Sequence, residues 1–182
     1  MIGVVDTTPA LPPSALKVRD AAERLGLAIA IRAMPQSTRT ADEAAAACGC
    51  DVGQIVKSLV FAGKATGAPY LLLVSGRNRV NEKAAAGAIG EALTRPDADA
   101  VRSSTGFAIG GIPPFGHATA MPTFLDGDLL GYDIVWAAAG TPSAVFSVEP
   151  RALALALGLI LIALSVLVTA VTFWLNRRIG AR

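Results

Sequence analysis

The chain has 182 residues, enough for one domain with a short appendage rather than two full domains. Its formal charge of +2 conceals a split: residues 1–150 carry 12 Lys/Arg against 14 Asp/Glu, whereas 151–182 add Arg151, Arg177, Arg178 and Arg182 and no acid. The bulk of the chain therefore lacks the basic balance of a general nucleic-acid binder, and two cysteines (Cys48, Cys50) with one histidine (His117) exclude a disulfide framework and leave too few ligands for a zinc site.

Residues 1–13 have no basic start followed by an apolar run, so they read as a flexible lead-in and not as a secretion signal. Ser14 is placed to cap a helix to about Leu25, with Leu16, Ala21, Ala22 and Leu25 at helical spacing and Gly26 as the stop. LAIAIRAM (27–34) reads as a strand that Pro35 breaks. Thr40 opens a second helix, with Glu43 at the capping-box position, and Cys48 and Cys50 read as two small residues around its end at Gly49, consistent with a reducing compartment. QIVKSLVFAG and YLLLVSG are two apolar strands joined at Gly67-Ala68-Pro69, a hairpin in the middle of a sheet. Asn81 caps a third helix, EKAAAGAIGEAL, which Pro96 and Asp97 close off. Residues 101–117, VRSSTGFAIGGIPPFGH, differ in kind, with four glycines, two prolines and the only histidine, and Gly106 to His117 read as a loop. TAMPTFLD, DIVWAAAG and SAVFSV supply further short strands. Helices set among several strands imply an α/β (mixed α+β) fold around a mixed sheet.

Residues 152–175 read ALALALGLILIALSVLVTAVTFWL, 24 residues without a charge. As a helix they would extend about 36 Å, enough to cross a hydrocarbon core of about 30 Å. Trp174 falls where interfacial aromatics sit, and the run is apolar on all sides. The alternative is a last core helix, which would be amphipathic; the expectation is a C-terminal transmembrane helix over 152–175 with a basic tail at 176–182. The location expected is the membrane, as a single-pass anchor with the domain in the cytoplasm, although the arginines after the span argue the opposite topology.

Few catalytic patterns are present. There is no GxGxxG after a strand, no GxxxxGK[ST], no HExxH and no GxSxG elbow. Two features stand out. Lys57 interrupts an apolar strand; it is either a lysine on the solvent face of an edge strand or a cation lining a pocket, because burying an unpaired amine costs several kcal/mol. The stretch Gly110-Gly111-Ile112-Pro113-Pro114 is either a tight connection or a stiff backbone shelf whose N–H groups face a ligand. His117 is either a base for a water or a loop histidine bonded to a carbonyl. Arg77, Arg79 and Lys83 either meet phosphates or form a solvated face, and Asp126 either rims a pocket or starts the DGD turn.

QIVKSLVF, TGFAIGGIPPFGH and LLGYDIVWAAAGTPSAVFSV, in that order, resemble the YbaK/prolyl-tRNA-synthetase-associated (ProX-like) aminoacyl-tRNA editing family. The resemblance covers about residues 14–153, with the domain itself bounded at 14–151. It implies a mixed, mostly antiparallel sheet with surrounding helices. It also implies hydrolysis of the ester of mischarged tRNA, tRNA for proline above all, in trans and without metal or cofactor, the neighbouring ribose hydroxyl assisting the water. Lys57 would lie near the terminal adenosine and the ester. Gly110 and Gly111 would offer N–H groups to the carbonyl oxygen, where one such donor is worth about 3 kcal/mol. Phe107, Ile112, Pro113, Pro114 and His117 would shape the acyl pocket, and Arg77, Arg79 and Lys83 would hold the acceptor stem. Partners implied are the mischarged tRNA and prolyl-tRNA synthetase; the membrane is expected as a partner only through the C-terminal apolar run, in which the chain departs from the family. The competing readings are a membrane-tethered module that binds tRNA or an aminoacyl-adenosine-like ligand without hydrolysis, and a decayed editing domain.

Overall fold

The computed structural model describes residues 11–158. Helix α1 (Pro13–Arg24) begins with proline at its first position, where the missing N–H costs nothing, and Pro12 rather than Ser14 is its N-cap. Strand β1 (Ala30–Ala33) leads to α2 (Ala41–Cys48), whose capping box is complete: the Glu43 N–H donates to Thr40 Oγ1 at 3.2 Å and the Thr40 N–H to the Glu43 carboxylate at 3.3 Å. After β2 (Ile55–Gly63) and β3 (Pro69–Ser75) comes α3 (Glu82–Ile89), which stops four residues earlier than the pattern predicts because Gly90 adopts the left-handed conformation. The short β4 (Leu93–Thr94) follows. Residues 98–105, for which the sequence pattern predicts no element, form α4 (Ala98–Thr105); Asp97 Oδ1 caps it by accepting the Ala100 N–H at 2.8 Å. Then come β5 (Thr123–Leu125), β6 (Val135–Thr141), β7 (Ala144–Val148) and α5 (Pro150–Ala156).

The strands form one mixed sheet in the order β1-β7-β6-β2-β3-β5, with β4 pairing β2. The β2–β6 and β3–β5 pairs are parallel and the rest antiparallel. Alternation along β2 sends its side chains to opposite faces. Val56 joins Leu71, Leu73, Val135, Ala137 and Phe146 in the main core, covered by α1 through Ala15 and Val18, by α4 through Val101 and by α5 through Leu153. Ile55 faces the other way and packs with Trp136 and Val145 under Ala44 and Ala45 of α2. Phe61 packs there too, in a cluster with Leu72 and Val74 toward α3. Lys57 therefore falls between two apolar patches on the α2–α3 face, on a central strand and not an edge strand.

The expected transmembrane helix is overturned. Helix α5 is seven residues long and ends at Ala156, followed by Leu157 and by Gly158 at φ +74°. Its Leu153 and Ala154 are buried against the domain while Leu155 is exposed. Among the described residues no helix is long and apolar enough to cross a membrane; residues 159–175 of the expected span, and the basic tail at 176–182, lie outside them. The membrane location drawn from that helix falls with it. For residues 152–156 the cause is plain: hydropathy scores transfer out of water and is equally satisfied by a protein core.

Candidate active site

The ladder between β2 and β6 holds only two pairs, Ile55 with Trp136 and Val56 with Ala137. Beyond them β6 is irregular between Ala138 and Thr141, with Gly140 at φ +87°. The gap between the strands is one wall of a cavity of about 580 Å³. Lys57 and Ser58 of β2, Trp136 and Ala138 of β6, Thr40 and Ala44 of α2 and its cap, and Ile109, Gly110 and Ile112 of the long loop all line it. The cation and the glycine loop thus meet in one space.

Lys57 is half-buried and held from behind. Its Nζ donates to the carbonyl of Gly76 at 3.0 Å and to that of Asn78. An ammonium has three donors, so one remains. Burial pushes the ammonium below its ordinary pKa, with Arg79 acting in the same sense and Asp126 and Asp42 opposing. The loop that supplies the two carbonyls is itself tied down. Asn78 Nδ2 donates to Asp126 Oδ2 and Asp128 Oδ2, each at 2.7 Å, and the Ser75 N–H donates to Asp126 Oδ2 at 3.1 Å. Asp126 also accepts the Asp128 N–H at 3.1 Å, so it begins the DGD turn and braces the Lys57 support at once. A side chain at Gly76 would meet the Val52 carbonyl at 2.1 Å, so this loop admits only glycine there.

The glycine–proline loop divides. Gly110 (φ +87°) and Ile112 line the cavity. No hydrogen bond from the Gly110 N–H to another backbone group is present among the described residues. Gly111 does not line the cavity: its N–H donates to the Ala108 carbonyl at 3.0 Å, and a Cβ there would lie 2.7 Å from Thr141 Cα. Pro113, Pro114 and Phe107 are buried behind it. His117 faces a second cavity with Pro114; its Nε2 lies 2.8 Å from the Pro113 carbonyl oxygen and its ring meets Phe107 edge-on at 6.3 Å. Burial lowers its pKa, opposed by the Pro113 bond. These residues fix the loop's shape from inside the core and do not touch the space beside Lys57.

The basic residues after β3 also lie outside that cavity. Arg77 pairs with Asp51 at the surface. Arg79 lines a separate groove with Asn78, Phe124 and Asp126. Lys83 sits exposed on α3. Arg39 and Thr38, which no motif singled out, do line the cavity. Arg39 reaches it because Gly110 has no side chain; a Cβ there would come within 3.2 Å of Arg39 Cγ. Only the Thr40 cap beside them hinted at this segment. Cys48 and Cys50 are free and pack beside the Ala44–Ala45 cluster; burial first, then Cys50, pushes the Cys48 thiol up to about 11. Among the described residues no group of three or more His, Cys, Asp or Glu is arranged to hold a metal ion.

The family model described as "Aminoacyl-tRNA editing domain" matches residues 35–155. A crystal structure of a candidate trans-editing enzyme for prolyl tRNA synthetase is 51% identical, with a TM-score of 0.77, covering 82% of this chain and 94% of that one. A candidate Cys-tRNA(Pro)/Cys-tRNA(Cys) deacylase of Enterococcus faecalis, EbsC, is 30% identical over 118 residues, which are 63% of this chain and 70% of that protein. The Bacillus subtilis protein YwhH is 28% identical over 117 residues, 64% of this chain and 74% of its own length. The chain belongs to the aminoacyl-tRNA editing domain family.

Proposed function

We propose that the chain is an aminoacyl-tRNA deacylase that works in trans, removing a small wrong amino acid from tRNA for proline. The observation that carries this reading is the single cavity shared by Lys57 and Gly110. Hydrolysis of the ester builds negative charge on its carbonyl oxygen, and a fixed cation or N–H aimed at that charge lowers the barrier by about 3 kcal/mol. Lys57 supplies the cation, with one N–H to spare, and faces the ester and terminal ribose. Gly110 supplies a backbone N–H, while Gly111 acts by holding the loop on β6. Ile109, Ile112 and Ala44 bound the acyl group. Phe107, Pro113, Pro114 and His117 stiffen the loop, and Arg79, Arg77 and Lys83 are the cations offered to acceptor-stem phosphates. A pocket of this kind discriminates by size at about 1–3 kcal/mol per methylene. The relatives support proline tRNA and prolyl-tRNA synthetase as partners through what they are described as doing.

The test is a deacylation panel with the full chain against proline tRNA charged with alanine, cysteine, serine, threonine and proline. One small amino acid other than proline is expected to be released fastest. Lys57→Ala is expected to slow that release at least about 100-fold while the far-UV spectrum is kept. No release from any of them would reject the enzymatic reading.

A further inference from the structure

The alternation of β2 decides what its backbone offers the cavity. The Gly76 N–H donates to the Ile55 carbonyl at 2.8 Å, and the Gly63 N–H donates to the Ala68 carbonyl at 2.9 Å. In the register that sets Lys57 opposite Val74, these bonds mark the odd-numbered residues of β2 as those that exchange hydrogen bonds with β3. The even-numbered residues turn their N–H and C=O the other way. Val56 meets β6 beside Ala137, and Ala62 pairs with Thr94 of β4. Ser58 comes after the β2–β6 ladder has ended, and it lines the cavity with Ala138 across the gap. Its Oγ is buried without a hydrogen-bond partner among the described residues. Backbone and side-chain groups left open inside a sheet are costly, by about 1–3 kcal/mol each, unless something comes to meet them.

An aminoacyl ester carries one donor group, its α-ammonium, and one acceptor, its ester carbonyl, separated by a single carbon. That is the spacing of the N–H and C=O of one extended residue, which a facing strand residue binds with two reciprocal hydrogen bonds. We infer that the Ser58 backbone pairs with the aminoacyl group as if it were a one-residue strand. The Ser58 C=O accepts from the α-ammonium, and the Ser58 N–H donates to the ester carbonyl oxygen. The inference rests on the deacylase reading and adds a substrate requirement, a free α-amine. No carboxylate lines the cavity, so a backbone carbonyl is the acceptor on hand for an ammonium, and it must hold that group against the repulsion of Lys57 and Arg39. In the reaction, water oxygen bonds to the acyl carbon, the bond from that carbon to the ribose oxygen breaks, and one water proton ends on the ribose oxygen. The Ser58 N–H holds the oxyanion between these steps. An N-acylated ester, as on peptidyl-tRNA, lacks the charge and part of the donor capacity and is refused.

The test uses alanylamido-deoxyadenosine, in which an amide replaces the ester, and its N-acetyl twin, titrated into the full chain while its amide resonances are followed by NMR. The free-amine form is expected to bind at least about tenfold more tightly and to shift the Ser58 amide proton downfield. Equal affinity for the two forms, an unmoved Ser58 amide at saturation, or no binding of the free-amine form overturns the inference. Replacing Ser58 by its α-hydroxy-acid counterpart removes the N–H that points into the gap and leaves both side-chain faces of β2 unchanged, at the cost of weakening the Lys57 carbonyl, now an ester, as an acceptor from β3. It is expected to weaken the free-amine analogue at least about tenfold, and unchanged affinity likewise overturns the inference. Deacylation is scored separately, so a chain that binds the analogue through Ser58 but releases no amino acid sinks the enzymatic reading alone.

Discussion

Single residues carried unequal amounts of information. Lys57 was legible as an oddity because a cation in an apolar strand demands a partner, yet its partners are carbonyls about 20 positions away, which no local pattern names. His117 shows the reverse. Its place after the loop suggested chemistry, but it is packed between Phe107 and the Pro113 carbonyl. Burial holds its pKa below the ordinary 6.5, so the folded state binds its proton less readily than the unfolded state. The resulting stability is present above pH 6.5 and is lost as the pH falls through the lowered folded value. Thermal melts from pH 7.5 to pH 5 are therefore expected to show a falling midpoint in acid. His117→Gln should fall less steeply over the same range; parallel slopes for the two proteins would refute the assignment.

At the level of elements, periodicity and caps located most helices and strands. Thr40 with Glu43 announced α2, and the alternation around Lys57 announced β2. Residues 152–156 show that burial in a core and burial in lipid leave the same mark on composition. Pro150 starts a short helix whose Leu153 is fully buried beside α1 and the sheet. Leu153→Ala is expected to cost about 2–5 kcal/mol in urea unfolding, a loss that a lipid-facing or exposed residue would not produce. Leu155→Ala, at an exposed position, is expected to change stability by less than about 0.5 kcal/mol. Helix α4 has no local signal beyond Asp97 at its start, because its eight residues hold only one large apolar side chain, Val101.

The whole molecule adds the cavity. It exists because two parallel strands pair for two residues and then part, and because α2 and the long loop close over the gap. Its cations are few and local, in a domain whose charge balance is slightly acidic. Binding to a tRNA acceptor end is therefore expected to depend only weakly on salt. The slope of log affinity against log salt should be no steeper than about −3, as for a handful of phosphate contacts. A slope near −10 would mean a broad basic surface, which the described residues do not form.

The order of residues alone determined the elements whose signals are local: the caps, the strand alternation, the glycine–proline loop and, through three motifs in sequence, the family. Local signals suffice there because hydrogen bonds and side-chain periodicity act within a few residues. Only the tertiary structure decided that Gly110 and Ile112 but not Gly111, Pro113 or His117 reach the space beside Lys57, that Arg39 and Ser58 share it, and that residues 152–156 finish a domain. Those outcomes depend on which distant surfaces are pressed together, and on where two strands stop pairing, quantities set by the packing of the entire sheet.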